Sequence, residues 1–150
     1  MSVLSWGKPK VEYGAIGSSG DAPSVWKEFP EIVSGTAKLT TEKGSKKEAT
    51  EEGGGIVDVY VEKNKYTFEC ELFVKKGDEK PIEDNDGVII DSYAVRLTPE
   101  DSTNVGFIMD KTSVACEETW SSADGLRWKY TFSGLKPKTG KVLKPFKATV

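Results

Sequence analysis

The fold is decided by residues 66–75, which read Tyr-Thr-Phe-Glu-Cys-Glu-Leu-Phe-Val-Lys. Apolar side chains occupy every second position from Phe68 to Val74, and the positions between them are mostly polar. Alternation of this length is typical of a strand with one face on a core and the other in water. The stretch therefore predicts an antiparallel β-strand that buries Cys70.

The same period of two recurs along most of the chain. Leu126–Phe132 alternates without a break, and Val57, Val59 and Val61 interleave with Asp58, Tyr60 and Glu62 in the same way. Further strands are predicted at Val11–Ile16, Ser24–Phe29, Thr36–Thr40, Val88–Leu97 and Thr112–Trp120. Together these ranges indicate an all-β chain of about eight strands.

Turn residues separate the predicted strands. Glu62–Tyr66 is short enough to link two strands as a hairpin, and Ser121–Gly125 ends in an Asp-Gly pair that suits a positive φ. Helix signals are confined to Glu79–Asp86, where Pro81 can occupy the first helical position, and to a turn opening at Thr98. The pattern predicts an antiparallel β-sandwich or barrel, β-rich with one short helix at most.

Length and charge limit the classes of protein. The chain has 150 residues, which suits a single domain spanning residues 1–150, and a net charge of −3, which argues against a general nucleic-acid binder. It contains no histidine, so it lacks the usual general base and the commonest metal ligand. Without a signal-peptide pattern or a run of ~20 apolar residues, a soluble protein made in the cytosol is expected.

No motif predicts a catalytic, cofactor-binding or metal-binding residue. Cys70 and Cys116 fall at apolar positions of strands and are predicted to be buried, reduced thiols. Glu83–Gly87 hints at a calcium loop, but its alignment lacks the first and last ligands and favours a plain acidic turn. Gly53–Gly55 matches no phosphate-binding pattern and is interpreted as a flexible loop base. We therefore expect a protein that is not an enzyme.

Two segments stand apart from the strand pattern. Residues Glu42–Gly55 are rich in Lys and Glu and predict a charged loop that is long for a compact domain. Residues 134–150 predict a basic C-terminal arm, because no acidic side chain follows Asp124 and seven cations do. The arm is either a solvated tail or a surface complementary to another copy of the chain.

The tryptophans leave two interpretations open. Four of them, as in a carbohydrate-binding sandwich, could form a platform for sugar stacking. Trp120 and Trp128 share the apolar phase of two strands predicted to pair, which favours a core role. Trp26 is out of phase with Val25 and Phe29, and is the better candidate for an exposed or interface aromatic.

Between residues 30 and 135 the elements follow a distinctive order: a strand, a long charged loop, a Gly-rich return, a strand with alternating Glu, a short link and a final hairpin. The stretches that carry this order are Gly35-Thr36, Gly44–Gly54, Tyr66–Leu72, Asp86–Asp101, Gly106-Phe107, Ser113–Trp120 and Asp124–Phe132. This arrangement resembles the tail tube proteins of long-tailed bacteriophages, which share a fold with the haemolysin-coregulated proteins of type VI secretion. The family usually has a clear helix in the link, where this chain offers only Glu79–Asp86.

The resemblance implies a structural subunit of a phage or prophage virion, or of a related secretion tube, synthesised in the bacterial host cytoplasm. Such subunits form rings, typically hexamers, that stack into a tube, join other tail proteins, and let DNA or effectors pass without specific binding. In that family a long loop reaches a neighbouring ring, and its counterpart here is Glu42–Gly55. With Trp26, the expected contacts between subunits are Lys46, Lys47, Glu48, Glu51 and Glu52.

The rival hypothesis is a monomeric β-sandwich that binds a carbohydrate or a protein, which the four tryptophans favour. Neither hypothesis requires a cofactor or a membrane.

Overall fold

The computed structural model describes residues 7–16, 20, 22–101 and 103–147. Within them the chain is all-β and contains no helix, so the short helices predicted at Glu79–Asp86 and after Thr98 are wrong. Both stretches form turns and bends instead, since each carries few apolar side chains for a helix face. The strands are β1 Lys10–Ala15, β2 Lys27–Glu28, β3 Lys38–Glu42, β4 Lys46–Thr50, β5 Ile56–Val61, β6 Lys65–Phe73, β7 Tyr93–Thr98, β8 Gly106–Ser121, β9 Gly125–Gly134 and β10 Lys144–Phe146.

Eight of these strands form one antiparallel sheet in the order β2-β1-β7-β8-β9-β6-β3, with β10 also paired to β8. Strands β4 and β5 form a separate two-stranded sheet. Strand β8 joins the two halves of the large sheet. Its first half pairs with β7 and β10, and its second half pairs with β9.

The large sheet folds over at β8 to make a sandwich, and it does not close into a barrel. A register shift between Tyr93 and Val95 of β7 marks a bulge opposite β8, where β8 changes partners. A bulge bends a strand and increases its twist. Phe68 of β6 and Phe107 of β8 consequently have ring centroids only 5.4 Å apart, although two strand boundaries separate them within the sheet. The predicted all-β sandwich is confirmed.

The core lies between the two layers and follows the alternation seen in the sequence. Phe68, Cys70 and Leu72 are all buried, as the pattern over residues 66–75 predicts. Trp128 is buried at 5% exposure, whereas its predicted core companion Trp120 is 71% exposed. Trp120 is exposed because the β8–β9 hairpin extends past the second layer, so no strand covers that end.

The two cysteines flank Tyr130, because Cys70 and Cys116 both lie directly opposite it on neighbouring strands. Two strand spacings place their Cα atoms about 10 Å apart, which is too far for a disulfide. Both thiols are free and buried, so the predicted burial is confirmed. Burial raises the pKa of Cys70 to about 12, and burial likewise raises the pKa of Cys116.

Several predicted boundaries are wrong. Ser24–Phe29 shrinks to the two residues of β2, and Val88–Leu97 supplies only β7, with Val88 forming a single bridge to Ala115. Glu62–Tyr66 does not close a hairpin between β5 and β6, since β5 pairs with β4 and β6 pairs with β3 and β9. The hairpin predicted across Ser121–Gly125 is confirmed between β8 and β9.

The segments predicted as loop and arm are also more ordered than expected. Glu42–Gly55 contains β4, so it is one side of a hairpin and not a long loop. The C-terminal arm returns to the sheet as β10, where Phe146 lies opposite Gly106. Residues 148–150 of that predicted arm lie outside the described residues, as does Trp6. The described part of the chain has no helix long and apolar enough to cross a bilayer.

Candidate assembly interface

A β-ribbon formed by β4 and β5 projects from one end of the β3–β6 pair of the large sheet. Strand β3 pairs with β6 up to Glu42 and Lys65, and β4 pairs with β5 from Lys46 and Val61. Each strand advances four residues between these pairs, so the register passes through the junction without a slip. The ribbon is therefore an extension of the β3–β6 pair.

The junction is held by local hydrogen bonds. The backbone N–H of Gly44 donates to the side-chain oxygen of Asn64 at 3.0 Å, and that of Glu62 donates to the carbonyl of Ser45 at 2.8 Å. A Cβ atom on Gly44 would collide with the carbonyl oxygen of Glu62. Only glycine fits here, because backbone approaches backbone too closely for any side chain.

The tip of the ribbon is a closed turn. The N–H of Glu51 donates to the carbonyl of Gly55 at 2.8 Å, and the N–H of Gly54 donates to the carbonyl of Glu51 at 3.1 Å. Gly53 and Gly54 both have φ near +97°, which glycine adopts without steric cost. The glycine triplet interpreted as a flexible loop base is instead the turn that joins the two ribbon strands.

Every residue of the two ribbon strands is exposed. Val59 and Val61 share one face, with exposures of 42% and 57%, and Tyr60 lies on the other at 63%. Ile56 and Val57, exposed at 59% and 69%, lie at a β-bulge, where the register shifts between Ala49 and Thr50 of β4. Both faces of β5 therefore carry apolar side chains into solvent. Exposed apolar side chains clustered in this way indicate a binding surface.

The expected contact residues fall in two places. Lys46, Lys47 and Glu48 lie on β4, and Glu51 and Glu52 lie in the turn, so one ribbon carries all five. Lys46 and Glu48 pair across 3.1 Å on the face that bears Val59 and Val61. Trp26 is not with them, because it precedes β2 at the opposite end of the strand order from β3.

Trp26 is half-buried and stacks on a guanidinium. The Arg96 Cζ atom lies 4.1 Å from the centre of the Trp26 ring and 5.0 Å from that of Phe146. Arg96 also donates two hydrogen bonds of 3.1 Å to the carboxylate of Glu12. Arg96 thus links Trp26, which precedes β2, and Phe146 of β10 to Glu12 of β1.

An open groove of about 680 Å³ lies beside this cluster. Its charged lining has three cations and three carboxylates, so it presents no net charge to a ligand. These residues are Lys8, Lys10, Arg96, Glu12, Glu28 and Glu100.

The other candidate sites are internally closed. Trp128 donates from Nε1 to Glu118 at 2.7 Å, and its burial leaves Trp120 as the single exposed member of the predicted sugar platform on that hairpin. The acidic turn folds on itself, as Asp84 accepts hydrogen bonds from Lys80 at 2.8 Å and from the N–H of Gly87 at 2.6 Å. No group of three acidic or cysteine side chains within the described ranges is placed to hold a metal.

The five apolar side chains of β5 were not predicted as site residues. The alternation of Val57, Val59 and Val61 predicts a half-buried strand instead. A signal was present, since Ile56 and Tyr60 place apolar groups on the opposite face as well. A strand with apolar side chains on both faces is expected to be covered on both, whereas no layer among the described residues covers either face of the ribbon.

No family model and no curated protein matches this chain. The geometry of the ribbon and of the sheet edges is therefore the basis for a functional proposal.

Proposed function

We propose that the protein is a structural subunit that assembles with copies of itself into stacked rings, as a tail tube subunit of a phage or prophage virion, or a related secretion tube, does. The observation that carries the proposal is the ribbon, whose strand β5 exposes Ile56, Val57, Val59, Tyr60 and Val61. An isolated two-stranded ribbon is marginally stable in water. Contact with a neighbouring copy would cover its apolar faces and stabilise it.

The edges of the large sheet support the same proposal. The sheet ends at β2 on one side and at β3 on the other, and neither strand has a second partner among the described residues. Open edges pair readily with other strands. Head-to-tail pairing of one edge with the other closes a ring when the rotation permits, and stacked rings make a tube. Ring size, taken as six, and passage of DNA or effectors follow from the resemblance to tail tube proteins.

A variant without the ribbon tests the proposal. Glu42 and Lys65 lie directly opposite each other, which is the geometry that a two-residue turn requires. Replacing residues 43–64 by Asn-Gly removes β4, β5 and the junction and leaves the sandwich intact. We expect the wild type to form rings or tubes in light scattering and negative-stain microscopy. We expect the ribbonless variant to be folded by circular dichroism and monomeric by light scattering.

A finer substitution separates the apolar surface from the ribbon backbone. Changing Val57, Val59 and Val61 to Thr preserves β-branched side chains and removes exposed apolar area from the ribbon. We expect this variant to assemble only at higher protein concentration than the wild type. A wild type that stays monomeric at millimolar concentration, in its host as well as in solution, contradicts the proposal.

Exposed Trp120 favours the alternative, a monomeric module that binds a carbohydrate or a protein. Its indole is 71% exposed near the end of the β8–β9 hairpin, and an exposed indole can stack on a sugar ring. A monomeric wild type with a hit on a glycan array, abolished by Trp120→Ala, would support this function over the first.

A further inference from the structure

We propose that the acidic tip of the ribbon docks on a lysine-rich segment of the neighbouring copy beside it in the same ring. The inference rests on the proposed assembly and names the surface that receives the ribbon. The tip, residues 50–58, carries Glu51, Glu52 and Asp58 and no cation. The lysine segment, residues 134–147, carries no carboxylate and five lysines, which are Lys136, Lys138, Lys141, Lys144 and Lys147.

Both surfaces are available to a partner. The residues of the tip are exposed throughout, and so are Lys136 and Lys141. Lys144 pairs with Asp110 inside the domain. The segment also offers an apolar contact, since Leu135 at its start is 38% exposed. Opposite charges around apolar contacts favour association and fix the register of the contact.

The placement of the segment decides which copy it receives. A Cβ atom on Gly134 would lie 2.6 Å from Val142 and 3.3 Å from the carbonyl oxygen of Tyr66, so the segment begins beside the base of the ribbon. The tip lies about eight residues further along the ribbon, roughly 25 Å away at 3.3 Å per residue. The tip and the segment thus leave the same end of the sheet.

Copies that lie side by side with the same orientation present their lysine segments at that end, and a ribbon inclined toward its neighbour spans this distance and places its tip on the neighbour's segment. A copy stacked head-to-tail presents its opposite end, where Phe73, Trp120 and the turn at Asp124 lie. The acidic tip therefore acts within a ring, and other surfaces make the contacts between rings.

Charge reversal in two separate variants tests the inference. Glu51→Lys with Glu52→Lys changes the net charge of the tip from −3 to +1, and Lys136→Glu with Lys141→Glu and Lys147→Glu changes that of the segment from +5 to −1. In a ring of one variant alone, each tip meets a segment of its own charge. We expect each variant to need at least about tenfold more protein than the wild type to form rings, which corresponds to about 1.4 kcal/mol.

Mixing the two variants is the decisive measurement. In an alternating ring the basic tip meets the acidic segment, and the unchanged acidic tip meets the unchanged lysine segment. We expect rings to return on mixing equal amounts, and to weaken in high salt, where the screening length falls to about 3 Å at 1 M. The matched control is Lys76→Glu with Glu79→Lys, which changes exposed charges beyond the far end of β6 and leaves ring formation unchanged.

Four results would overturn the inference. The first is ring formation by either variant at the wild-type concentration, and the second is a pair of folded variants that do not assemble when mixed. The third is a variant whose rings close but fail to stack. The fourth is a loss of ring formation in the control equal to that in the variants. A wild type that forms no rings at all refutes the proposed function itself, and this outcome is seen before any variant is compared.

Discussion

The hydroxyl of Tyr130 makes two hydrogen bonds with the backbone of Ile82, donating to its carbonyl oxygen at 2.6 Å and accepting from its N–H at 3.3 Å. Tyr130 is fully buried in the middle of β9, and Ile82 is buried in the connection between β6 and β7. One side chain thus satisfies both backbone groups of a residue that belongs to no strand. This contact holds the long connection against the core.

Tyr130→Phe is predicted to reduce the free energy of unfolding by about 1–3 kcal/mol. The phenyl ring keeps the packing but leaves two buried backbone groups of Ile82 without a partner, and each unsatisfied group is costly. Urea denaturation followed by circular dichroism measures the change. Tyr60→Phe on the exposed ribbon is the matched control, and a loss for Tyr130→Phe no larger than for Tyr60→Phe would show that water replaces the hydroxyl.

The two tryptophans of the β8–β9 hairpin are predicted to differ sharply in their effect on stability. Trp128→Ala removes a buried indole and its hydrogen bond to Glu118, and should cost about 3–5 kcal/mol. Trp120→Ala changes an exposed side chain and should stay within about 0.5 kcal/mol. Denaturant melts of both variants provide the test, and equal losses would mean that the hairpin end is covered.

Local alternation allowed much of the fold to be predicted. Strands β6 and β9 are recognisable from sequence because each is half-buried along its whole length, so its period of two is unbroken. Strand pairing was less accessible, as shown by the link at Glu62–Tyr66. The same turn residues can close a hairpin between β5 and β6 or form the junction between the ribbon and the sheet. Which of the two they do depends on whether residues 46–50 form a strand that pairs with β5.

The candidate site was located in part. The charges of Lys46–Glu52 drew attention to the segment that forms the ribbon, although β4 itself was missed because Lys-Lys-Glu-Ala-Thr shows no apolar alternation. Its conformation comes from pairing with β5. The exposure of β5 could not be predicted from its own sequence either, because burial depends on layers supplied by other parts of the chain. Among the described residues, no layer covers Val59 or Tyr60.

Stability is predicted to fall in acid through Asp84. The ammonium of Lys80, with help from the N–H of Gly87, holds the pKa of Asp84 below its ordinary value. A lowered folded pKa contributes stability that is complete above the unfolded value of about 4 and is lost as pH falls through the folded value. Between about pH 5 and pH 2.5, the denaturation midpoint of Asp84→Asn should therefore fall less steeply than that of the wild type.

Lys80→Met provides the control for this pH dependence, since it removes the main cause of the lowered pKa and leaves the carboxylate in place. We expect its midpoint to show the same reduced slope as Asp84→Asn. Slopes equal to that of the wild type in both variants would indicate that other carboxylates govern the acid response.

The thiols are predicted to be inert until the protein unfolds. Burial raises the pKa of Cys70 to about 12 and also raises that of Cys116, so neither forms the thiolate that reacts near neutral pH. A disulfide-exchange reagent should label no thiol in buffer and both in denaturant, without added reductant. Because Tyr130 separates the two strands, oxidation should not join Cys70 to Cys116 within the folded chain. Rapid labelling of native protein, or a reductant requirement after unfolding, would contradict this arrangement of the core.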